Sequence, residues 1–209
     1  MSSTLGERSF SRKYTDVVNE QQIRDRIVET ADALYYGRGI QAVGMDALRS
    51  AAGVSLKRLY ANFPSKEALV LEVLRDRHRL WNGGVEAAVA SATAPVDRLL
   101  AIYDYLLTWF DTDSFRGCGF INAFGELGAV SPRVADAARE HKKSFQDFVG
   151  GLVADAGGNR ELAAQLAILA EGAQTTAAIS GSSVAAGQAR RAAEILIGAE
   201  LNPSGKRVE

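Results

Sequence analysis

Lys57, Arg58, Tyr60, Ala61 and Asn62 fall in one short run, LKRLYAN, with Lys66 shortly after it, and between positions 47 and 66 four basic residues meet no acidic one. Guanidinium and ammonium groups at this density suit a polyanion, and an arginine can also bind a guanine edge through two parallel hydrogen bonds. Such side chains are useful only if one face of their element is fixed and the other is free. Leu59 and Phe63 at i and i+4 supply the fixed face of a short helix, and Ser55 is placed to cap its N-terminus. Upstream, Ala47, Leu48, Ala51 and Ala52 give a close-packing helix, Gly53 a sharp turn and Val54 a plug for the corner. A short helix, a glycine turn and a second, basic helix form a helix-turn-helix, whose second helix, from Leu56, enters a major groove.

A second group lies in RGCGFINAFGEL, positions 116–127. Asn122 and Glu126 are one helical turn apart in apolar surroundings and can aim polar atoms into a pocket, or else bond neighbouring backbone and fix packing. Cys118 reads as a small hydrophobe or as a thiol sensor. His141, on the apolar stripe of its helix, is a hydrogen-bonded core histidine or a ligand donor. Tyr103, Trp109, Phe110, Phe120, Phe124, Phe145 and Phe148 are mostly core residues, some of which wall the same cavity. A thiol enzyme built from Cys118, His141 and Glu126 is the alternative from another class, but no nucleophile motif surrounds the cysteine.

The elements that must position these groups all read as helices, so the expected fold is all-α. The first runs from about Gln22 to Arg38 on the stripe Ile23, Ile27, Ala31, Leu34 and Tyr35. A linking helix follows Ser65 and weakens at Gly83 and Gly84. Further helices cover about 96–110, 118–127, 132–155, 161–180 and 185–201. The expected organisation is a flexible leader at 1–21, a DNA-binding domain at 22–68 with its linking helix at 65–81, a ligand-binding and dimerisation domain at 82–201, and a polar tail at 202–209.

Composition agrees with this division. The 209 residues carry a net charge of −1, but residues 1–80 hold 13 Lys and Arg against 10 Asp and Glu (+3), and the remainder 11 against 15 (−4). The positive field is local, as in a protein that touches phosphates with one end. One cysteine and two distant histidines exclude an internal disulfide and make a metal cluster unexpected, and no cofactor is implied. Met1 to Gln22 has no signal-peptide run, which points to the cytoplasm. The apolar stretch from Leu162 to Ile179 is broken by Gln165, Glu171 and Gln174, and a central carboxylate alone costs about 2.5 to 3.5 kcal/mol in a membrane. No membrane partner is expected.

The motifs AAGVS, LY, NF and PSKEAL resemble the TetR family of bacterial transcriptional repressors, over about Ile23 to Leu74. The resemblance implies that Leu56, Lys57, Arg58 and Ala61 occupy base-edge positions and Tyr60, Asn62 and Lys66 phosphate positions, with Tyr60 as a core aromatic the alternative. Two positions depart from the family pattern. Gly44 stands where Thr or Ser is usual and lacks a hydroxyl for a phosphate, and Arg49, where Ala is usual, can replace that contact. The resemblance further implies a homodimer on double-stranded operator DNA, released by a small, largely apolar effector in a cavity of roughly 300 to 1,000 Å³. It places the last two helices at the two-fold interface, where the small-residue stripe Leu166, Ala170, Ala173 and Ala177 is the expected contact. An effector-independent DNA-binding protein, with its C-terminal domain filled to native density, is the remaining alternative.

Overall fold

The computed structural model describes residues 4–201, with side chains placed from Asn19 onward. The polar tail at 202–209 lies outside the described residues. Among those described there are nine helices and no strand: α1 (Thr4–Arg38), α2 (Met45–Ala51), α3 (Leu56–Asn62), α4 (Lys66–Ala90), α5 (Pro95–Phe110), α6 (Gly119–Leu127), α7 (Pro132–Asp155), α8 (Arg160–Ser180) and α9 (Val184–Leu201). No described helix is long and apolar enough to cross a membrane. Two compact units divide the chain at Val73 and Leu74, inside α4. The first unit thus runs past position 68, where the sequence reading ends the DNA-binding domain, because Leu69, Val70 and Val73 on the first turns of α4 are buried.

Local chemistry accounts for most helix boundaries. Pro95 and Pro132 open α5 and α7 at positions that need no backbone N–H, and the side chains of Ser131 and Asn159 cap α7 and α8 by accepting from Val134 and Leu162 amides at 3.2 and 2.9 Å. Two boundaries differ from the sequence expectation. α1 begins at Thr4, well before Gln22, so the segment read as a flexible leader is helical from Thr4. Beyond Gly6 it contains neither glycine nor proline to stop a helix. α4 does not weaken at Gly83 and Gly84 but continues to Ala90. A Cβ on Gly84 would overlap the Tyr105 ring, so this glycine lets α5 approach α4 and its helix-breaking tendency is overridden by packing.

The larger unit packs α8 against α7 and α9, and α5 against α7, α8 and α9. Its core holds Leu99, Ile102, Tyr103 and Leu106 of α5, Val149 and Leu152 of α7, and Ala186, Ala193 and Ile197 of α9. Leu166, Ala170, Ala173 and Ala177 belong to this same core, each at most 5% exposed, so they are not available to a partner surface. The correction has a simple cause. Small residues admit a close neighbour, and here the neighbours are helices of the same chain, fixed in part by the Tyr103 hydroxyl donating to the Leu166 carbonyl at 2.8 Å. The opposite face of α8 carries Ile168 and Ile179, 67% and 83% exposed, with exposed Gly172 and Thr175 between them.

Ala170→Arg is accordingly expected to abolish cooperative folding of the protomer, since an unpaired buried charge costs several kcal/mol. A variant with parental melting behaviour that merely sedimented as a monomer would restore the small-residue stripe as an interface.

Candidate functional site

The corner between α2 and α3 is built from backbone outward. Gly53 adopts φ +63°, a left-handed conformation that a side chain strains, and its N–H and that of Val54 close the turn onto Ser50 and Arg49 carbonyls. Ser55 then caps α3, its hydroxyl accepting from the Arg58 amide at 3.2 Å. Leu48, Leu59 and Phe63 are each at most 1% exposed and lock the two helices together. What remains outside is the candidate reading face: Ser55, Leu56, Lys57, Tyr60 and Ala61 are exposed, with Arg58 and Asn62 half-buried beside them. Tyr60 is 45% exposed, which removes the core-aromatic alternative.

Several of these cations have internal partners. Arg58 pairs with Glu20 of α1 at 2.5 Å, and Arg49 with Asp46 one turn earlier at 2.8 Å. The Asn62 amide donates back to the Arg58 carbonyl at 3.0 Å, and the Lys66 ammonium sits 5.9 Å from the Tyr35 ring centre. Gly44 caps α2 with extended backbone and no side-chain bond. The organising residue of this unit is one the sequence reading did not single out. Arg24 of α1 donates to the Asn62 carbonyl at 3.0 Å and to Glu72 of α4 at 2.8 Å, while its guanidinium lies 4.2 Å over the Phe63 ring. It thereby ties the end of α3 to α1 and α4.

In the larger unit the aromatic residues gather around Trp81 of α4, whose ring has those of Tyr105, Trp109, His141 and Phe145 at 5.2 to 6.5 Å. Phe120 stacks flat on His141 at 3.8 Å. His141 is buried and its Nδ1 lies 3.0 Å from Nδ1 of His78, whose Nε2 is 3.1 Å from the Asn82 amide nitrogen. The tautomers follow from the donors. Asn82 donates to His78 Nε2, so His78 carries its proton on Nδ1 and donates it to His141. A charged His141 would turn an N–H toward that same N–H, and its pKa is pushed down to about 3, by burial first, then by the charge of Lys142 and by its neighbour His78.

Trp81, Val85, Phe145 and Phe148 also wall a cavity of about 80 Å³, with Asn82, Glu86 and Ser144 as its polar groups. This is well below the expected 300 to 1,000 Å³. Of the residues expected to line a pocket, Phe145 and Phe148 do so here. Tyr103 and Phe110 are core, and Cys118 is buried ahead of α6. Asn122 is exposed, and its amide donates to the Arg116 carbonyl at 3.1 Å, closing the loop before α6. Glu126 is half-buried and absent from this cavity, where the carboxylate is Glu86.

Comparison with known proteins bears on both units. Residues 27–73 match the family model described as bacterial regulatory proteins of the tetR family, and residues 95–193 match a tetracyclin repressor-like C-terminal domain. The chain belongs to the TetR family. A TetR-family transcriptional regulator from Streptomyces coelicolor is 26% identical with a TM-score of 0.82, covering 87% of this chain and 97% of that one. The reduced form of NemR from Escherichia coli shares the fold, with a TM-score of 0.73 at 22% identity over 83% of this chain and 96% of its own. Among relatives from Mycolicibacterium smegmatis, the transcriptional repressor KstR2 is 31% identical over 38% of this chain and 39% of its own length. The transcriptional activator FasR is 29% identical over 62% and 58%. The chain thus matches only about two fifths to three fifths of the length of these relatives. Membership makes the protein a transcriptional regulator and not an enzyme, which disposes of the thiol-enzyme alternative.

Two outcomes follow for this TetR-family chain. Because the folded state holds His141 neutral while the unfolded chain protonates near pH 6.5, its burial leaves stability intact above that pH and lowers it as pH falls toward 3, by at most about 1.4 kcal/mol per pH unit. Urea melts should show His141→Phe less sensitive than the parent between pH 7 and 5; equal slopes would contradict the neutral pair. Arg24→Met should lower the melting temperature and weaken DNA binding together, as the end of α3 loses its tether. Unchanged DNA binding in a destabilised variant would separate the tether from the reading face.

Proposed function

We propose that the protein is a dimeric repressor that reads a palindromic operator in the cytoplasm with α3 and is released by a small effector held in the larger unit. The observation carrying this reading is a capped helix whose Leu59 and Phe63 are fully buried while Leu56, Lys57, Tyr60 and Ala61 face outward. Arg58 is assigned the guanine edge, Lys57 a base edge or phosphate, and Tyr60, Asn62 and Lys66 the phosphates, with Arg49 supplying the contact that Gly44 lacks. Repression is favoured over activation because occupying a site blocks transcription without any further contact.

The proposed dimer surface is the outward face of α8 and α9, where Ile168, Ile179, Val184 and Ile195 are each more than 60% exposed. Exposed isoleucines aligned on one helix face are the kind of apolar patch that marks a protein interface. A dimer with two-fold symmetry presents two reading helices to successive major grooves about 34 to 36 Å apart. An effector that binds better to a conformation with a different spacing lowers operator affinity without touching DNA. The small cavity gives some weight to a second reading, DNA binding without an effector.

Ile168→Arg should yield a folded monomer that no longer binds operator at concentrations saturating the parent; a dimeric variant by sedimentation would move the interface. Arg58→Ala should relax base preference at one position, worth about 1 to 3 kcal/mol, whereas Lys66→Ala should reduce the salt slope of binding by about one. An unchanged preference in a selection from mixed oligonucleotides would remove Arg58 from the reading face. For the effector, DNA must weaken the ligand by the same factor as the ligand weakens DNA, a coupling of about 1 to 3 kcal/mol, and its absence for every ligand that binds would leave the effector-free reading.

A further inference from the structure

The cavity between α4 and α7 has a chemistry that narrows what the larger unit can hold. Its rings are Trp81, Phe145 and Phe148, and the edge of Phe145 meets Trp81 at 5.7 Å. Aromatic faces are electron-rich and attract cations. The polar group best placed to strengthen that attraction is the exposed Glu86 carboxylate, which makes no ion pair among the described residues. Neighbouring cations on α7 are already matched, Lys142 to Glu171 at 3.4 Å and Lys143 to Asp147 at 2.5 Å. His141, beside Trp81, is held uncharged by its burial. The local field is therefore negative. At about 80 Å³ the space takes one compact head group and not a whole drug-sized ligand.

We propose that Trp81, Phe145, Phe148 and Glu86 form a cage for an alkylammonium head group, quaternary or primary. The cation rests on the aromatic faces and Glu86 closes the charge from the rim. The assignment rests on the effector reading above and specifies the class of effector, a small organic cation within the small, largely apolar molecules expected from the sequence.

Choline and 3,3-dimethylbutan-1-ol have the same shape and oxygen and differ in charge, so they separate a cage from a greasy hole. In calorimetric titrations of the full-length protein, choline should bind at least about tenfold more tightly than the alcohol, and Glu86→Gln should remove most of that preference while leaving the alcohol unaffected. Phe148→Leu, which keeps the apolar wall but loses the ring, should weaken choline alone. Equal affinities for the two probes, no choline binding at millimolar concentration, or a Glu86→Gln protein that still prefers choline would overturn the cage. Operator binding is then measured with each probe. If choline binds with these signatures and operator affinity is unchanged, the cage stands and the effector reading falls. If the alcohol releases operator and choline does not, the cage falls and the effector reading stands.

Discussion

Two cores are built on one uninterrupted helix, and that constraint governs the rest of the chain. α4 gives Leu69, Val70 and Val73 to the DNA-binding unit and Trp81, Val85 and Val89 to the larger one, all of them buried. The residues between them cannot be chosen for either core alone. Glu72 faces Arg24, which holds the end of α3, and His78 faces His141 a turn and a half later. Gly84 must stay small for Tyr105. A helix that has to satisfy α1 and α3 at one end and α5 and α7 at the other is constrained along its whole length.

Of the cations on α2 and α3, both arginines are paired, while the exposed Lys57 makes no ion pair among the described residues. Arg58 and Arg49 each have a carboxylate partner within the protein, yet the Arg58 and Glu20 side chains are 42% and 58% exposed. Exposed pairs of this sort contribute about 0 to 1 kcal/mol, so Arg58 can exchange Glu20 for another partner at little cost. The Arg24 network is different in kind. It combines two charge-assisted bonds with a stacked ring and is less exposed, and it is spent on shape, not on DNA.

Much of this was legible in the sequence where local chemistry decides. The glycine turn at Gly53, the Ser55 cap, the proline starts of α5 and α7 and the apolar repeats gave the helix order and, apart from the start of α1 and the end of α4, boundaries within a residue or so. What was not legible depends on which neighbour occupies a surface. The stripe Leu166, Ala170, Ala173 and Ala177 announces close packing but cannot say whether the neighbour is α5 of the same chain or a second copy. Gly83 and Gly84 read as a break because the partner ring that Gly84 accommodates lies more than twenty positions away, at Tyr105. Trp81 was passed over for the same reason: its role comes from rings on α5 and α7. Asn122 and Glu126 shared a helix face as expected, but a shared face does not fix what it faces, and Asn122 turned to the Arg116 carbonyl.

If two copies of α3 read one operator as a rigidly spaced pair, the spacing itself is the most direct test. Half-sites recovered by selection should form an inverted repeat, and inserting five base pairs between them, about half a helical turn, should reduce binding to that of a single half-site, while ten base pairs should restore part of it. Affinity that is indifferent to both insertions would mean that each reading helix binds alone, and the two-fold account would be wrong.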